Sequence, residues 1–168
     1  VIDRSELSGD EAEFANAWGV ADEFVFRRVL REARRSHEAG ERFLSLVLTT
    51  SNHRPFTYPE GRIDIPSGEG RAGAVKYTDW AIGDFLRRAR GKPWFANTLF
   101  VITADHCASS GGIAALPAFR YRIPLWIHAP GQVAPGRYDR MTSQIDIAPT
   151  VLGLLGMDYD SRFFGVDV

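Results

Sequence analysis

The chain has 168 residues, of which 45% are hydrophobic and 24% are charged, and its formal net charge at pH 7 is −1. A chain of this length fits one domain with a substantial core, and its composition excludes collagen-like and intrinsically disordered proteins. The near-neutral charge gives no electrostatic basis for binding nucleic acid, and no apolar run reaches the ~18 residues that a membrane-spanning helix needs. Cys107 is the single cysteine, which excludes an internal disulfide framework and an all-cysteine metal site.

Apolar runs alternate with helical patterns along the chain, and Asp22 stands where a helix cap is expected. In chain order, the patterns predict a helix over 23–39, a buried strand over 43–49, a Pro- and Gly-rich loop over 51–70, a helix over 72–89, strands over 98–103 and 123–128, and a helix over 146–156. The apolar residues of the strand over 98–103 do not alternate with polar ones, so we expect both of its faces to be covered. Buried strands separated by helices predict an α/β fold with a largely parallel sheet.

Polar residues follow two of these strands, and ligands of such sheets bind at the carboxyl ends of the strands. Asp105 and His106 can hold one cation together only if the chain turns there, because neighbouring strand residues point to opposite faces. The segment 108–112, with Ser109 and Ser110, has the composition of such a turn. A carboxylate and an imidazole suit Zn²⁺ or Mn²⁺ better than Ca²⁺. The alternative is a capping Asp followed by a solvent-facing His.

Four segments occur together in one order and spacing: 49–56 (TTSNHRPF), 101–106 (VITADH), 121–131 (YRIPLWIHAPG) and 146–152 (DIAPTVL). Together they resemble the C-terminal part of the lipoteichoic acid synthase-like phosphoglycerol transferases, within the sulfatase and alkaline phosphatase superfamily. The segment 18–22 (WGVAD) is also similar to that family. The resemblance implies an alkaline phosphatase-like α/β sandwich around a mostly parallel central sheet, present here only as its C-terminal portion.

The resemblance also assigns roles to residues. Asp105 and His106 match the family's metal-ligand pair, with Mn²⁺ as the expected ion and Mg²⁺ or Zn²⁺ as alternatives. His53 matches a histidine that contacts the phosphate of the substrate. Arg54 either binds phosphate oxygens through its forked guanidinium or is a solvated loop charge, and Trp18 is either a packing residue or a margin of the site. The family's nucleophilic threonine lies upstream, so we expect no catalytic nucleophile in this chain.

The implied function is that of a metal-dependent phosphoglycerol transferase or sulfatase-like enzyme acting on phosphate or sulfate esters of the cell envelope. Its implied partner is a phosphoglycerol- or sulfate-bearing lipid or glycan of the envelope. The implied location is the inner (cytoplasmic) membrane, through an N-terminal anchor expected before Val1, with this domain on the extracytoplasmic or periplasmic side. The alternatives are a sulfatase or phosphodiesterase of the same superfamily, acting on sulfate or phosphate esters, and a non-catalytic binding module that keeps the fold. The asparagine–histidine motif followed by Pro55 and Phe56 favours the transferase.

The sequence begins at Val1 without Met and ends at Val168 without a closing helix. We therefore interpret residues 1–168 as the C-terminal portion of one sulfatase-like catalytic domain, the alternative being a complete small protein with a processed N terminus. A divalent ion normally takes about four or more ligands, so a chain that supplies two is predicted to bind metal weakly and to show no turnover alone. Apolar surface left by missing sheet neighbours would favour a homodimer or aggregation.

Overall fold

The computed structural model describes residues 1–108 and 120–168. The helices and strands of this part are α1 (Asp22–Glu38), α2 (Arg71–Arg90), β1 (Phe100–Thr103), β2 (Leu125–His128) and α3 (Ile147–Leu154). The chain divides into two compact units, residues 1–133 and residues 134–168. The first unit contains α1, α2, both strands and every predicted site residue. In the described ranges, no helix is both long enough and apolar enough to cross a membrane.

Helix α1 lies within one residue of its predicted bounds at each end, and it buries Phe24, Phe26 and Ala33. The prediction that Asp22 caps this helix is wrong. The residue before the helix is Ala21, which is extended and makes no side-chain cap, and Asp22 is the first helical residue. The physical reason is that Asp22 is completely buried and its carboxylate binds the backbone of a loop instead of the helix N–H groups.

Two apolar clusters form the core of the first unit. One consists of Val20, Ala21, Phe24, Tyr58, Ala74 and Tyr77. The other consists of Ala33, Ala89, Trp94, Phe95 and Phe100. In the first cluster the Tyr58 and Tyr77 rings stack at 4.9 Å with their planes 8° apart. A Cβ on Gly73 would collide with the Tyr58 hydroxyl, so α2 can pack this closely only with glycine at that position.

The strand predicted over 43–49 does not form in the described chain, where the segment has no helix or strand assignment. Its side chains at Leu44, Leu46 and Leu48 are 94%, 88% and 75% exposed. Phe43 at its start still packs against Trp94, edge to face at 5.7 Å. The local pattern has the composition of a strand, but a strand exists only when a neighbour pairs with its backbone groups. This prediction is therefore wrong for the chain as it stands.

The sheet of the described residues has two strands, β1 and β2, and they pair antiparallel, with Phe100 opposite His128 and Thr103 opposite Leu125. The largely parallel arrangement predicted from the order of elements is not present among these residues. Order along the chain does not determine direction, because either direction of pairing satisfies the backbone hydrogen bonds. The covering of both faces expected for the strand over 98–103 is also incomplete, since only Phe100 of β1 is buried and Thr103 is exposed.

The second unit is built around α3, which is preceded by a 3-10 turn over Gln144–Asp146. Ser143 and Asp146 form a capping box at the start of this turn. The Asp146 carboxylate also accepts a hydrogen bond from the Val166 N–H at 3.0 Å, which ties the last residues of the chain to the helix start. The predicted helix over 146–156 is thus present, with its α-helical part ending at Leu154.

Candidate active site

His53 lies in a tight loop that follows the segment 43–49. Its N–H donates to the Thr50 carbonyl at 3.1 Å, and its own carbonyl accepts from the Phe56 N–H at 2.8 Å. These two contacts close consecutive turns on either side of the residue. Within the described chain, no hydrogen bond reaches the ring nitrogens of His53. The imidazole is therefore able to donate to, or accept from, a bound ligand.

The loop is anchored by Asp22, a residue for which the sequence predicted only a capping role. One carboxylate oxygen of Asp22 accepts the Ser51 N–H at 3.0 Å, the Ser51 hydroxyl at 2.7 Å and the Thr50 N–H at 3.2 Å. The other oxygen accepts the Thr78 hydroxyl of α2 at 2.7 Å. A buried carboxylate is stable only with such donors, so the loop and both helices are held at one point. No sequence signal distinguishes this Asp from a helix cap.

Asn52 extends the same network. Its amide N–H donates to the Thr78 hydroxyl at 2.8 Å, and that hydroxyl donates to Asp22. Because the Thr78 proton is used in this way, the amide nitrogen must face Thr78, which determines the amide orientation. The Asn52 carbonyl oxygen is then buried without a hydrogen-bond partner among the described residues. Asn52, which directly precedes His53, thus joins the loop to α2.

Arg54 has an exposed side chain, and its backbone carbonyl accepts the indole N–H of Trp18 at 2.6 Å. The backbone of Arg54 thus helps to hold the loop in place. The predicted contact of its guanidinium with phosphate stays a prediction. The contacts of Trp18 lie on the His53 loop, which favours the site-margin interpretation of this residue over a packing role in the core.

Asp105 and His106 lie side by side, one residue after the end of β1. The distance from the second carboxylate oxygen of Asp105 (Oδ2) to His106 Nε2 is 3.5 Å, and both side chains are more than two-thirds exposed. The other oxygen, Oδ1, accepts the His106 N–H at 2.9 Å, so the chain has turned away from the strand direction at this point. Two donors about 2.1 Å from one ion at a tetrahedral angle would lie about 3.4 Å apart. The pair therefore has the spacing of two ligands of one ion.

The tautomer of His106 also fits this role. Its Nδ1 lies 2.7 Å from the Cys107 carbonyl oxygen, which can only accept a hydrogen bond, so Nδ1 must carry a proton. In the neutral ring the lone pair is then on Nε2, the nitrogen that faces Asp105. Metal-binding histidines are commonly oriented in this way by a carbonyl on their other nitrogen. A carboxylate and an imidazole fit Zn²⁺ or Mn²⁺ better than Ca²⁺, which prefers oxygen ligands throughout.

The residues around the pair are incomplete as a metal centre. In the described ranges, no group of three or more His, Cys, Asp or Glu side chains could hold an ion. The predicted turn with Ser109 and Ser110 lies outside the described residues. An open cleft of about 460 Å³ lies beside His106, and its lining includes Arg120 and Arg122.

Comparisons with known proteins identify the family. The sulfatase family pattern matches residues 2–157. Phosphoglycerol transferase I of Xanthomonas axonopodis pv. citri is 30% identical over 157 residues, which is 89% of this chain and 22% of that protein. Lipoteichoic acid synthase 2 of Bacillus subtilis is 29% identical over 137 residues, or 69% of this chain and 21% of that protein. The chain thus spans about a fifth of the length of these curated relatives.

Two solved structures share the fold. A protein of the alkaline phosphatase superfamily from Vibrio parahaemolyticus superposes with a TM-score of 0.91 at 34% identity, over 99% of this chain and 40% of that one. The lipoteichoic acid synthase LtaP from Listeria monocytogenes superposes with a TM-score of 0.81 at 27% identity, over 98% of this chain and 46% of that one. The predicted alkaline phosphatase-like fold class, present as a portion of the whole, is confirmed. The chain belongs to the sulfatase family, within the alkaline phosphatase superfamily, and its relatives include phosphoglycerol transferases and lipoteichoic acid synthases.

Proposed function

We propose that this chain is the phosphate-contacting and metal-binding portion of a metal-dependent phosphoglycerol transferase that acts on phosphate esters of the cell envelope. The observation that carries the proposal is the pairing of Asp105 Oδ2 with His106 Nε2 at 3.5 Å, with the Nδ1 proton of His106 donated to a backbone carbonyl. The names of the curated relatives support phosphoglycerol transfer over other reactions of the family.

His53 is the residue proposed to hold the phosphate. Its ring nitrogens accept or donate no hydrogen bond within the described residues, and its loop is held by the buried Asp22. A fixed loop with an open imidazole edge is the arrangement that a phosphate oxygen requires for a well-oriented hydrogen bond. Arg54 is the second proposed phosphate contact, since its exposed guanidinium stands next in the chain.

A divalent ion held by Asp105 and His106 would lower the pKa of the attacking hydroxyl and offset the negative charge that builds up on the phosphate oxygens. The nucleophile is proposed to be a threonine in the segment before Val1. In this proposal the threonine oxygen bonds to phosphorus as the bond to the first alcohol breaks, and an acceptor alcohol then displaces the threonine. This chain alone would bind metal weakly and show no turnover.

Two alternatives are open to test. A sulfatase or phosphodiesterase of the same family would use the same metal pair, and it would differ at the nucleophile, where sulfatases carry a modified Cys or Ser. A non-catalytic module would lack a nucleophile altogether.

We propose that the protein lies at the inner membrane with this domain outside the cytoplasm, where it can reach envelope lipids and glycans.

The test is an assay of the full-length protein that contains this chain, on a chromogenic phosphoglycerol ester and on a chromogenic sulfate ester. We expect turnover of the phosphoglycerol ester with Mn²⁺, and a loss of at least 100-fold in Asp105→Asn and His106→Ala. His37→Ala serves as the control, because His37 is an exposed histidine near the end of α1. Faster hydrolysis of the sulfate ester, or full activity in both metal-pair variants, would contradict the proposal.

A further inference from the structure

The His53 imidazole lies flat on the indole of Trp18. The two ring centroids are 3.9 Å apart, and the planes differ by 16°. Trp18 is 55% exposed, so the indole is a surface side chain and contributes little to the core. Stacked rings at this separation attract each other, and the stack closes one face of the imidazole while leaving its nitrogen-bearing edge open.

Trp18 is itself held in place by two hydrogen bonds, one from its indole N–H and one from its backbone N–H. Its indole N–H donates to the Arg54 carbonyl at 2.6 Å, on the far side of His53 in the loop. Its backbone N–H donates to the Asn16 side chain at 2.8 Å, and the Asn16 amide donates to the Thr57 hydroxyl at 3.2 Å. The indole is thus tied by hydrogen bonds to the loop that it supports.

The segment after Trp18 makes a second set of contacts with the start of the loop. A Cβ on Gly19 would lie 3.2 Å from the Thr50 hydroxyl oxygen, so the Gly19 backbone packs closely against the Thr50 side chain. Asp22, four residues on, accepts the Thr50 and Ser51 N–H groups. One short stretch of chain therefore fixes both the backbone of the loop and the ring plane of His53.

A ring on an exposed loop would otherwise rotate about its terminal torsion, which has a broad energy profile. A phosphate that bound such a ring would first have to restrict this rotation, and the cost would weaken binding. We propose that Trp18 is a positioning residue that, through the stack, holds the His53 imidazole in the orientation that binds a phosphate ester. The inference rests on the proposed function, in which His53 contacts the substrate phosphate.

The test compares Trp18→Phe, which keeps an aromatic ring but loses the N–H donor, with Trp18→Leu, which loses both. Trp126→Leu is the matched control, because this β2 indole is 59% exposed and thus similar to Trp18 in exposure. Each chain is titrated with glycerol 1-phosphate in excess Zn²⁺, and the imidazole C–H signals of His53 are followed by NMR. A His53→Gln chain identifies those signals.

Without ligand, we expect the His53 signals to be shifted upfield by the indole ring current, and to move toward unshifted positions in Trp18→Leu. With ligand, we expect Trp18→Leu to weaken glycerol 1-phosphate binding about two- to tenfold, and Trp18→Phe to weaken it less than about twofold. Trp126→Leu should bind as the unchanged chain does. A loss of affinity in Trp18→Leu that Trp18→Phe restores is a result that a general loss of stability would not produce.

Three outcomes would overturn the inference, and they are distinguishable. Unchanged affinity in Trp18→Leu, with the His53 signals displaced, would remove the role of the stack and leave the proposed function intact. Equal weakening in Trp18→Phe and Trp18→Leu would assign the effect to the indole N–H instead of the stack. If glycerol 1-phosphate left the His53 signals of the unchanged chain unmoved, the phosphate contact of the proposed function would fail, and the role of Trp18 with it.

Discussion

The Asp22 carboxylate, at the first residue of α1, accepts the Ser51 hydroxyl at 2.7 Å, and this buried contact connects the helix to the loop that carries His53. Four donors converge on the two oxygens of Asp22, two from the backbone and two from hydroxyl groups. Loss of the charge would leave several of these donors poorly satisfied in a buried place, where each unmet group is costly.

Replacement of Asp22 by asparagine is therefore expected to lower the free energy of unfolding by about 1–3 kcal/mol. The new amide N–H would face the Thr78 hydroxyl, which already accepts the Asn52 N–H and has its own proton to donate. Urea unfolding measures the change, and hydrogen exchange at the Ser51 amide reports the loop directly. Asp79→Asn, at an exposed position of α2, should change stability by less than about 0.5 kcal/mol. Equal stability of the two variants would contradict the anchoring role.

Metal binding by this chain is expected to be weak and to depend on the side-by-side pair. Titration calorimetry with Mn²⁺ and Zn²⁺ should give a dissociation constant above about 1 μM, since metal sites normally require about four ligands and the pair supplies two. His106→Ala should weaken binding further, by at least about tenfold, while His37→Ala should leave it unchanged. A site tighter than micromolar would mean that further ligands of this chain had been missed.

Self-association is expected because the Leu44, Leu46 and Leu48 side chains stand exposed on a segment that pairs with no strand among the described residues. Burial of one leucine contributes about 1.5–3 kcal/mol, so covering this row gives a substantial gain. Sedimentation velocity at rising concentration should show dimers or larger species, and a chain with all three leucines changed to lysine should remain monomeric. Val75→Lys, at an exposed apolar position of α2, is the control and should not reduce association. A monodisperse monomer at high concentration would contradict this prediction.

The second unit should respond to pH through Asp146. Hydrogen bonds from the Ser143 and Val166 N–H groups lower the pKa of this carboxyl below its usual value of 3.8. A lowered pKa in the folded chain means that the carboxylate stabilises the fold above the ordinary pKa, and that this contribution is lost as the pH falls through the folded value. Protection of the Val166 amide from exchange should therefore be greater than in Asp146→Asn at pH 7.

The difference between these two chains should shrink below about pH 4, where the carboxyl begins to protonate. Asp158→Asn alters an exposed aspartate of the same unit and should leave Val166 protection unchanged at either pH. A protection difference that persisted undiminished at acid pH would show that the charge of Asp146 does not hold the end of the chain.

The local sequence pattern was sufficient to predict the helices and the family. The bounds of α1 and α2 agree with prediction to within one residue, because apolar spacing and stop signals act within a few turns of the chain. The motifs at 49–56 and 101–106 led to the family that the comparisons confirm. The adjacency of Asp105 and His106 in sequence also let the turn after β1 bring their side chains together.

The features that only the tertiary structure determined depend on contacts between groups far apart in the chain. The antiparallel pairing of β1 with β2, and the absence of a strand over 43–49 among residues 1–108 and 120–168, follow from which backbone partners are present, and no local pattern contains that information. The burial of Asp22 against a loop 29 residues away, and the stack of Trp18 on His53, are likewise invisible in sequence. An aspartate or a tryptophan near the start of a helix has the same local propensity wherever its side chain goes, and packing alone selects its partner.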